Sequence, residues 1–165
     1  MRRAAIGALA LLAVTSAAAV STQEGWRTFE GSWSATGRRE SVPIEGEGAA
    51  AIVHVSGALV LALGDGLSRG FQADVIAFHD GVASSVGRAV WTDERGDRVF
   101  STLEGEALET GRRIRGTITG GTGRYEGLSG EYTLSWQYVV RAEDGAIQGR
   151  SADLKGRYRV RGSAP

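Results

Sequence analysis

Gly130-Glu131-Tyr132-Thr133-Leu134-Ser135-Trp136-Gln137-Tyr138-Val139-Val140-Arg141 alternates apolar and polar side chains with a period of two. Tyr132, Leu134, Trp136, Tyr138 and Val140 share one parity, while Glu131, Thr133, Ser135, Gln137 and Arg141 share the other. Successive side chains of an extended chain point to opposite faces. The stretch therefore predicts a half-buried β-strand with its aromatic set turned inward. The last apolar run repeats the logic, with Asp153, Lys155, Arg157, Arg159 and Arg161 on a solvated face opposite Leu154, Tyr158 and Val160.

Working outward, runs rich in Val, Ile, Thr and aromatic residues recur near 26–36, 50–63, 67–79, 83–93, 97–107, 112–120, 130–141 and 147–160. Between them stand glycine-bearing turns: Gly64-Asp65-Gly66, His79-Asp80-Gly81, Asp93 to Asp97, Glu109-Thr110-Gly111 and Glu143-Asp144-Gly145. Such turns join neighbouring strands as hairpins. Gly46 to Ala51 reads as a flexible loop leading into the second strand. No window beyond the N-terminus carries an apolar 3.6 period. Eight hairpin-linked strands without a covering helix must bury their apolar face against themselves. The prediction is an all-β, antiparallel up-and-down barrel of about eight strands, with a two-sheet sandwich as the alternative.

The chain has 165 residues, 42% of them hydrophobic, which suits one domain with a real core. Arg2-Arg3, the apolar stretch Ala4 to Val14 and the small residues Ala17-Ala18-Ala19 read as a secretory signal over residues 1–19, leaving 20–165 as a single barrel domain. The apolar stretch is shorter than the ~20 residues of a spanning helix. No later segment has that length either, so no integral membrane segment is expected after cleavage. Nineteen basic residues balance nineteen acidic ones, and losing Arg2 and Arg3 leaves a small acidic excess. A nucleic-acid binder would show a basic stripe. With no cysteine, neither disulfides nor thiolate metal sites contribute. Periplasmic or secreted residence follows from the leader.

Gly120-Gly121-Thr122-Gly123-Arg124-Tyr125-Glu126-Gly127-Leu128-Ser129-Gly130 is the most distinctive segment. It lacks the Gly-Lys-Ser/Thr and following helix of a phosphate loop, and its glycine spacing is wrong for a dinucleotide site. It resembles the Gly-Gly-Thr-Gly-x-aromatic-x-Gly turn between late strands of the allene oxide cyclase and dirigent proteins, built on calycin-like eight-stranded barrels. The resemblance is specific over residues 114–140. It implies that Gly121, Gly123 and Gly127 let the turn fold tightly while Tyr125 plugs the barrel edge, and that self-association as a trimer or dimer is open to this chain. The asparagine that plant cyclases use to hold a catalytic water has no counterpart, because the chain contains no Asn. Gly31-Ser32-Trp33 carries a weaker echo of the lipocalin Gly-x-Trp, in which the tryptophan packs beneath an arginine of the last strand; Arg157 or Arg159 could supply it.

Two histidines are present. His54 faces away from Leu59, Leu61 and Leu63, and His79 falls in a turn, so no zinc site is expected. No nucleophile elbow is present. Glu104 and Glu106 share one strand face, which solvent explains more simply than glycoside hydrolysis. Arg69 alternates with Leu67, Phe71, Ala73 and Val75, and Arg88 with Val82, Val86 and Val90. A guanidinium within a barrel needs compensation worth several kcal/mol. Glu104 or Asp74 would pair it internally, or a rim position would hydrate it. The functional reading is an acidic, otherwise apolar ligand held by Arg69 or Arg88 and packed by Phe71, Tyr132, Trp136 and Tyr138. No cofactor is called for. The expectation is a small-molecule-binding exported barrel, with a cyclase or isomerase, or a filled barrel acting through its outer face, as alternatives.

Overall fold

The computed structural model describes residues 25–46, 48–81 and 84–160. The expected signal peptide, Val82 and Arg161 lie outside the described residues. Eight strands follow one another: β1 Arg27–Pro43, β2 Ala49–Gly64, β3 Gly70–His79, β4 Ser84–Thr92, β5 Arg98–Leu108, β6 Gly111–Gly121, β7 Leu128–Arg141 and β8 Ala146–Val160. Each pairs antiparallel with the next, and β8 returns to β1. Closure leaves no unpaired edge, which is how an all-β chain without helices satisfies its backbone. The predicted eight-stranded antiparallel barrel therefore forms. The loop expected over Gly46 to Ala51 is shorter, because Ala49 already opens β2.

Period-two patterning builds the wall. On β7, Tyr132, Leu134 and Trp136 are buried and Tyr138 half-buried, while Val140 has left the interior beyond a register slip after Tyr138. On β8 the inward set runs Ile147, Gly149, Ser151, then Leu154 and Tyr158. An extra residue opposite Gly31–Trp33 of β1 changes the parity there. Glycines make room for the large rings: a Cβ at Gly116, Gly149 or Gly156 would overlap Tyr132, Trp136 or Phe29 respectively.

The two ends differ. At one, the 3₁₀ turn Gly123–Tyr125 between β6 and β7 folds under the barrel and buries Tyr125 to 1% exposure. Its ring packs on Phe71 at 5.7 Å. Its hydroxyl donates to Asp93 Oδ2 at 2.9 Å and accepts from the Ser68 N–H at 3.2 Å. Tyr125 thus lies buried at this end of the barrel. At the opposite end, turns β3–β4 and β7–β8 carry Gly81 and Gly145 at φ +86°, and the interior opens.

Arg69 and Arg88 are not inside; both are exposed. Arg69 precedes β3, and its carbonyl accepts the Leu61 N–H across the bend at 2.8 Å, so strand alternation does not reach it. On β4 the inward set is Ser85, Ala89 and Trp91, which leaves Val86 outside at 58% exposure beside Arg88. Trp91 sets that parity by packing on Phe29, Phe71 and Tyr132, and it carries Ala89 and Ser85 inward with it. The more apolar face of β4 is consequently the outer one. Nor do Glu104 or Asp74 pair with these arginines: Arg88 lies opposite Ile76 and Thr102, and Asp74 accepts from Ser56 Oγ. Glu104 and Glu106 are solvated, as is His54.

Candidate functional site

Below the open end, inward positions of seven strands line a narrow neck, with Ser85 of β4 its polar member. Trp33 of β1, Val55 of β2, Ala77 of β3, Leu103 of β5, Ile114 of β6 and Trp136 of β7 form its apolar wall. Trp33 and Trp136 meet at 4.8 Å between ring centroids, and Tyr138 stands edge-on to Trp136 at 6.1 Å. The volume open to the centre of a water-sized sphere is about 40 Å³. Roughly 10–15 Å³ of such space holds one water, so the neck accepts a ring edge or a short alkyl group. Above it the barrel widens into a mouth of about 340 Å³ that shares His79, Arg112 and Tyr138 with the neck.

Alternation places the polar groups of the mouth. Arg39 continues the inward parity of Trp33 and Ala35, and its N–H donates to the Gly145 carbonyl at 2.8 Å, fixing that part of β1 against the last turn. Arg112 opens β6 on the parity of Ile114 and Ile118, opposite Trp136 of β7. His79 closes β3 on the parity of Phe71, Ala73 and Val75, between Ala51 of β2 and Ser85 of β4. It is 7% exposed and so is part of the wall rather than of the turn. Arg141 reaches over the Tyr138 ring at 5.0 Å.

The electrostatics follow from that crowding. Burial first, then the positive fields of Arg112 and Arg39, lower the His79 pKa from 6.5 to about 4, against a smaller opposing pull from Asp80. The imidazole is neutral at pH 7 and can donate from one nitrogen and accept at the other. Burial likewise moves the Arg112 pKa down, while Tyr138 and Asp80 work the other way. Deeper in, the Trp33 indole Nε1–H is buried without a hydrogen-bond partner. An unpaired buried donor is worth about 1–3 kcal/mol to whatever accepts from it. The cluster sets polar side chains over an apolar floor.

Of the six sequence-chosen ligand residues, only Trp136 and Tyr138 stand here. Phe71 and Tyr132 belong to the plugged half, where Trp91 lies 5.9 Å from Phe71 and 4.9 Å from Tyr132. Burial raises the Tyr132 phenol above its ordinary pKa. Arg69 and Arg88 sit on the outer wall. Arg69→Met and Arg88→Met are each expected to leave stability within about 0.5 kcal/mol of wild type, which thermal melts would check. Trp33, read as a core tryptophan, and His79, expected in a turn, are wall residues of the site, and Arg112 and Arg39 join them on inward parities that alternation along β6 and β1 marks. The lipocalin-like packing does not form: Arg157 and Arg159 each lie 4.8 Å from the ring centroid of Trp26, whereas Trp33 packs on Trp136.

In sequence, no family model and no curated protein matches this chain. In structure it is similar to a pterocarpan synthase dirigent protein, at 12% identity over 88% of this chain and 96% of that one, with a TM-score of 0.48. A likeness of that size carries no argument about residues or activity.

Proposed function

We propose that this chain is an exported barrel that binds a small, mainly apolar molecule through its open end. The observation that carries the reading is the neck, an apolar slot between Trp33 and Trp136 at the base of a wider polar mouth, with a buried indole N–H lacking an acceptor. Most binding sites combine such an apolar wall with a few polar groups that fix orientation. Tyr125 closes the far end, so entry is from the mouth alone.

Export rests on the leader residues Arg2-Arg3, Ala4 to Val14 and Ala17-Ala18-Ala19. One measurement tests both halves of the reading. Native mass spectrometry of the protein from its own host should show a chain beginning near residue 20, plus a stoichiometric adduct released on unfolding. A full-length mass would overturn export. A clean apo mass, with no thermal shift across aromatic and lipid panels, would overturn binding.

A second reading has its own observation. The outer wall of β2, β3 and β4 exposes Ile52, Ile76, Phe78 and Val86, with Phe78 directly between Ile52 and Val86 in the sheet register. Exposed apolar residues that adjoin one another mark contact surfaces more often than scattered ones do. A barrel acting through that wall would keep its interior unoccupied by any ligand, so the clean apo mass is also the result this reading expects.

A further inference from the structure

Resting on the binding reading above, we infer that the Trp33 indole Nε1–H is a ligand-binding donor, and that the ligand enters the neck with an uncharged carbonyl group whose oxygen accepts from it. The ligand class is then a small neutral ketone or aldehyde, its carbon body in the mouth beside Trp136 and Tyr138.

The donor comes first. Trp33 is 4% exposed and lines the neck, and its Nε1–H has no hydrogen-bond partner among the described residues. Its register neighbours supply none. Leu59 stands opposite it on β2 and Ser151 on β8, and the buried Ser151 hydroxyl is turned to Asp153 Oδ1 at 2.8 Å. Across the neck, the Val55, Leu103 and Ile114 side chains carry no polar atom, and the Trp136 indole packed on Trp33 can only donate. The wall's backbone carbonyls are engaged by the closed ladder. Among the described residues, no other side chain lining this neck has a buried polar atom without a partner. A buried donor that borders open space is paired by what enters that space.

A single donor at that depth selects the leading group. A carbonyl oxygen is served by one N–H and has no proton of its own to place. A carboxylate would lose water at several lone pairs in return for that one bond, the costly case for a buried ion. An alcohol would turn its own O–H against an apolar wall, and a hydrocarbon would leave the indole unpaired. Size agrees with this choice. The neck, about 40 Å³ open to the centre of a water-sized sphere, takes an acyl group of a few atoms, and the mouth of about 340 Å³ above it takes a ring.

Acetophenone and α-methylstyrene are the matched probes, since one skeleton carries a carbonyl in the first and a terminal methylene in the second. The bond to Trp33, less the cost of dehydrating the ketone, should favour acetophenone by about 3–10-fold in calorimetric titration. Trp33→Phe keeps an apolar ring and loses the donor, so the alkene should then bind at least as tightly as the ketone. Equal affinities in wild type, or a ketone preference that survives Trp33→Phe, would overturn the donor while leaving the binding barrel standing. Failure of both probes to bind would remove both. If Trp33→Phe misfolds, NMR of the wild-type protein still decides: the Trp33 Nε1–H proton resonance should move downfield with acetophenone and not with α-methylstyrene. Benzoate should leave it in place. A resonance that ignores acetophenone would overturn the donor, and one that answers benzoate as it does acetophenone would overturn the uncharged class.

Discussion

Asp93→Ala is expected to destabilise the barrel by about 3–5 kcal/mol, the loss that follows when one member of a buried charged network is removed. The Asp93 side chain has no exposed surface. It accepts from Arg124 Nε at 2.8 Å, from Arg124 Nη2, from the Tyr125 hydroxyl at 2.9 Å, and from the backbone N–H groups of Arg95 and Asp97 at 2.8 and 3.0 Å. Alanine would strand the Tyr125 hydroxyl and the two backbone N–H groups, while Arg124 would keep only Glu94 Oε1 at 3.1 Å among these carboxylates. Tyr125→Phe keeps the ring and removes two bonds, the donation to Asp93 and the acceptance from the Ser68 N–H, and should lose about 2 kcal/mol, so urea melts of the two variants separate the charge from the hydroxyl.

The same residue sets an acid limit. Burial would raise the Asp93 pKa, but its hydrogen bonds from Arg124, the Arg95 N–H, Tyr125 and the Asp97 N–H outweigh it and hold the carboxyl below its ordinary range. A depressed carboxylate contributes its full stability above its unfolded value of about 3.9, and loses it as pH falls through the folded value. Wild-type stability should therefore drop below about pH 4. Asp93→Asn, which cannot ionise, should begin less stable and show a shallower fall; an equally steep fall in the variant would assign the acid limit elsewhere.

Gly116→Val is expected to lose about 2–3 kcal/mol by overpacking. Gly116 is buried on β6 directly opposite Tyr132, whose ring occupies the place a Cβ would take. Tyr132 cannot retreat, because Trp91 lies 4.9 Å away and Phe29 6.4 Å away. Tyr132→Ala in the same chain should recover part of the loss, with a coupling of about 1 kcal/mol or more between neighbours. Gly70 is the control: it opens β3 with nothing within 4 Å of a Cβ, and Gly70→Val should shift stability by no more than about 0.5 kcal/mol. Equal losses at both positions would overturn the assignment of the loss at Gly116 to ring volume.

Local chemistry made much of the fold readable. The alternation through Tyr132, Leu134 and Trp136 gave a strand and its inner face, since a pleated chain permits nothing else. The glycine turns gave most strand ends to within about three residues, but β1, with no such turn after residue 36, runs on to Pro43. At Gly123 a positive φ of +55° and the close Asp97 carboxylate leave no room for a side chain.

Parity along one strand, however, is only relative. Which parity faces inward was decided for β4 by tertiary packing: Trp91 on that parity packs on Phe29, Phe71 and Tyr132 and carries Ala89 and Ser85 inward with it, which leaves Val86 outside. The mouth was decided the same way. His79 ends one strand, Arg112 begins another and Arg39 lies near the end of a third, so nothing local connects them. Closure of β8 onto β1 brings these positions to one opening, where burial and mutual repulsion give the histidine a property that its sequence neighbours do not predict.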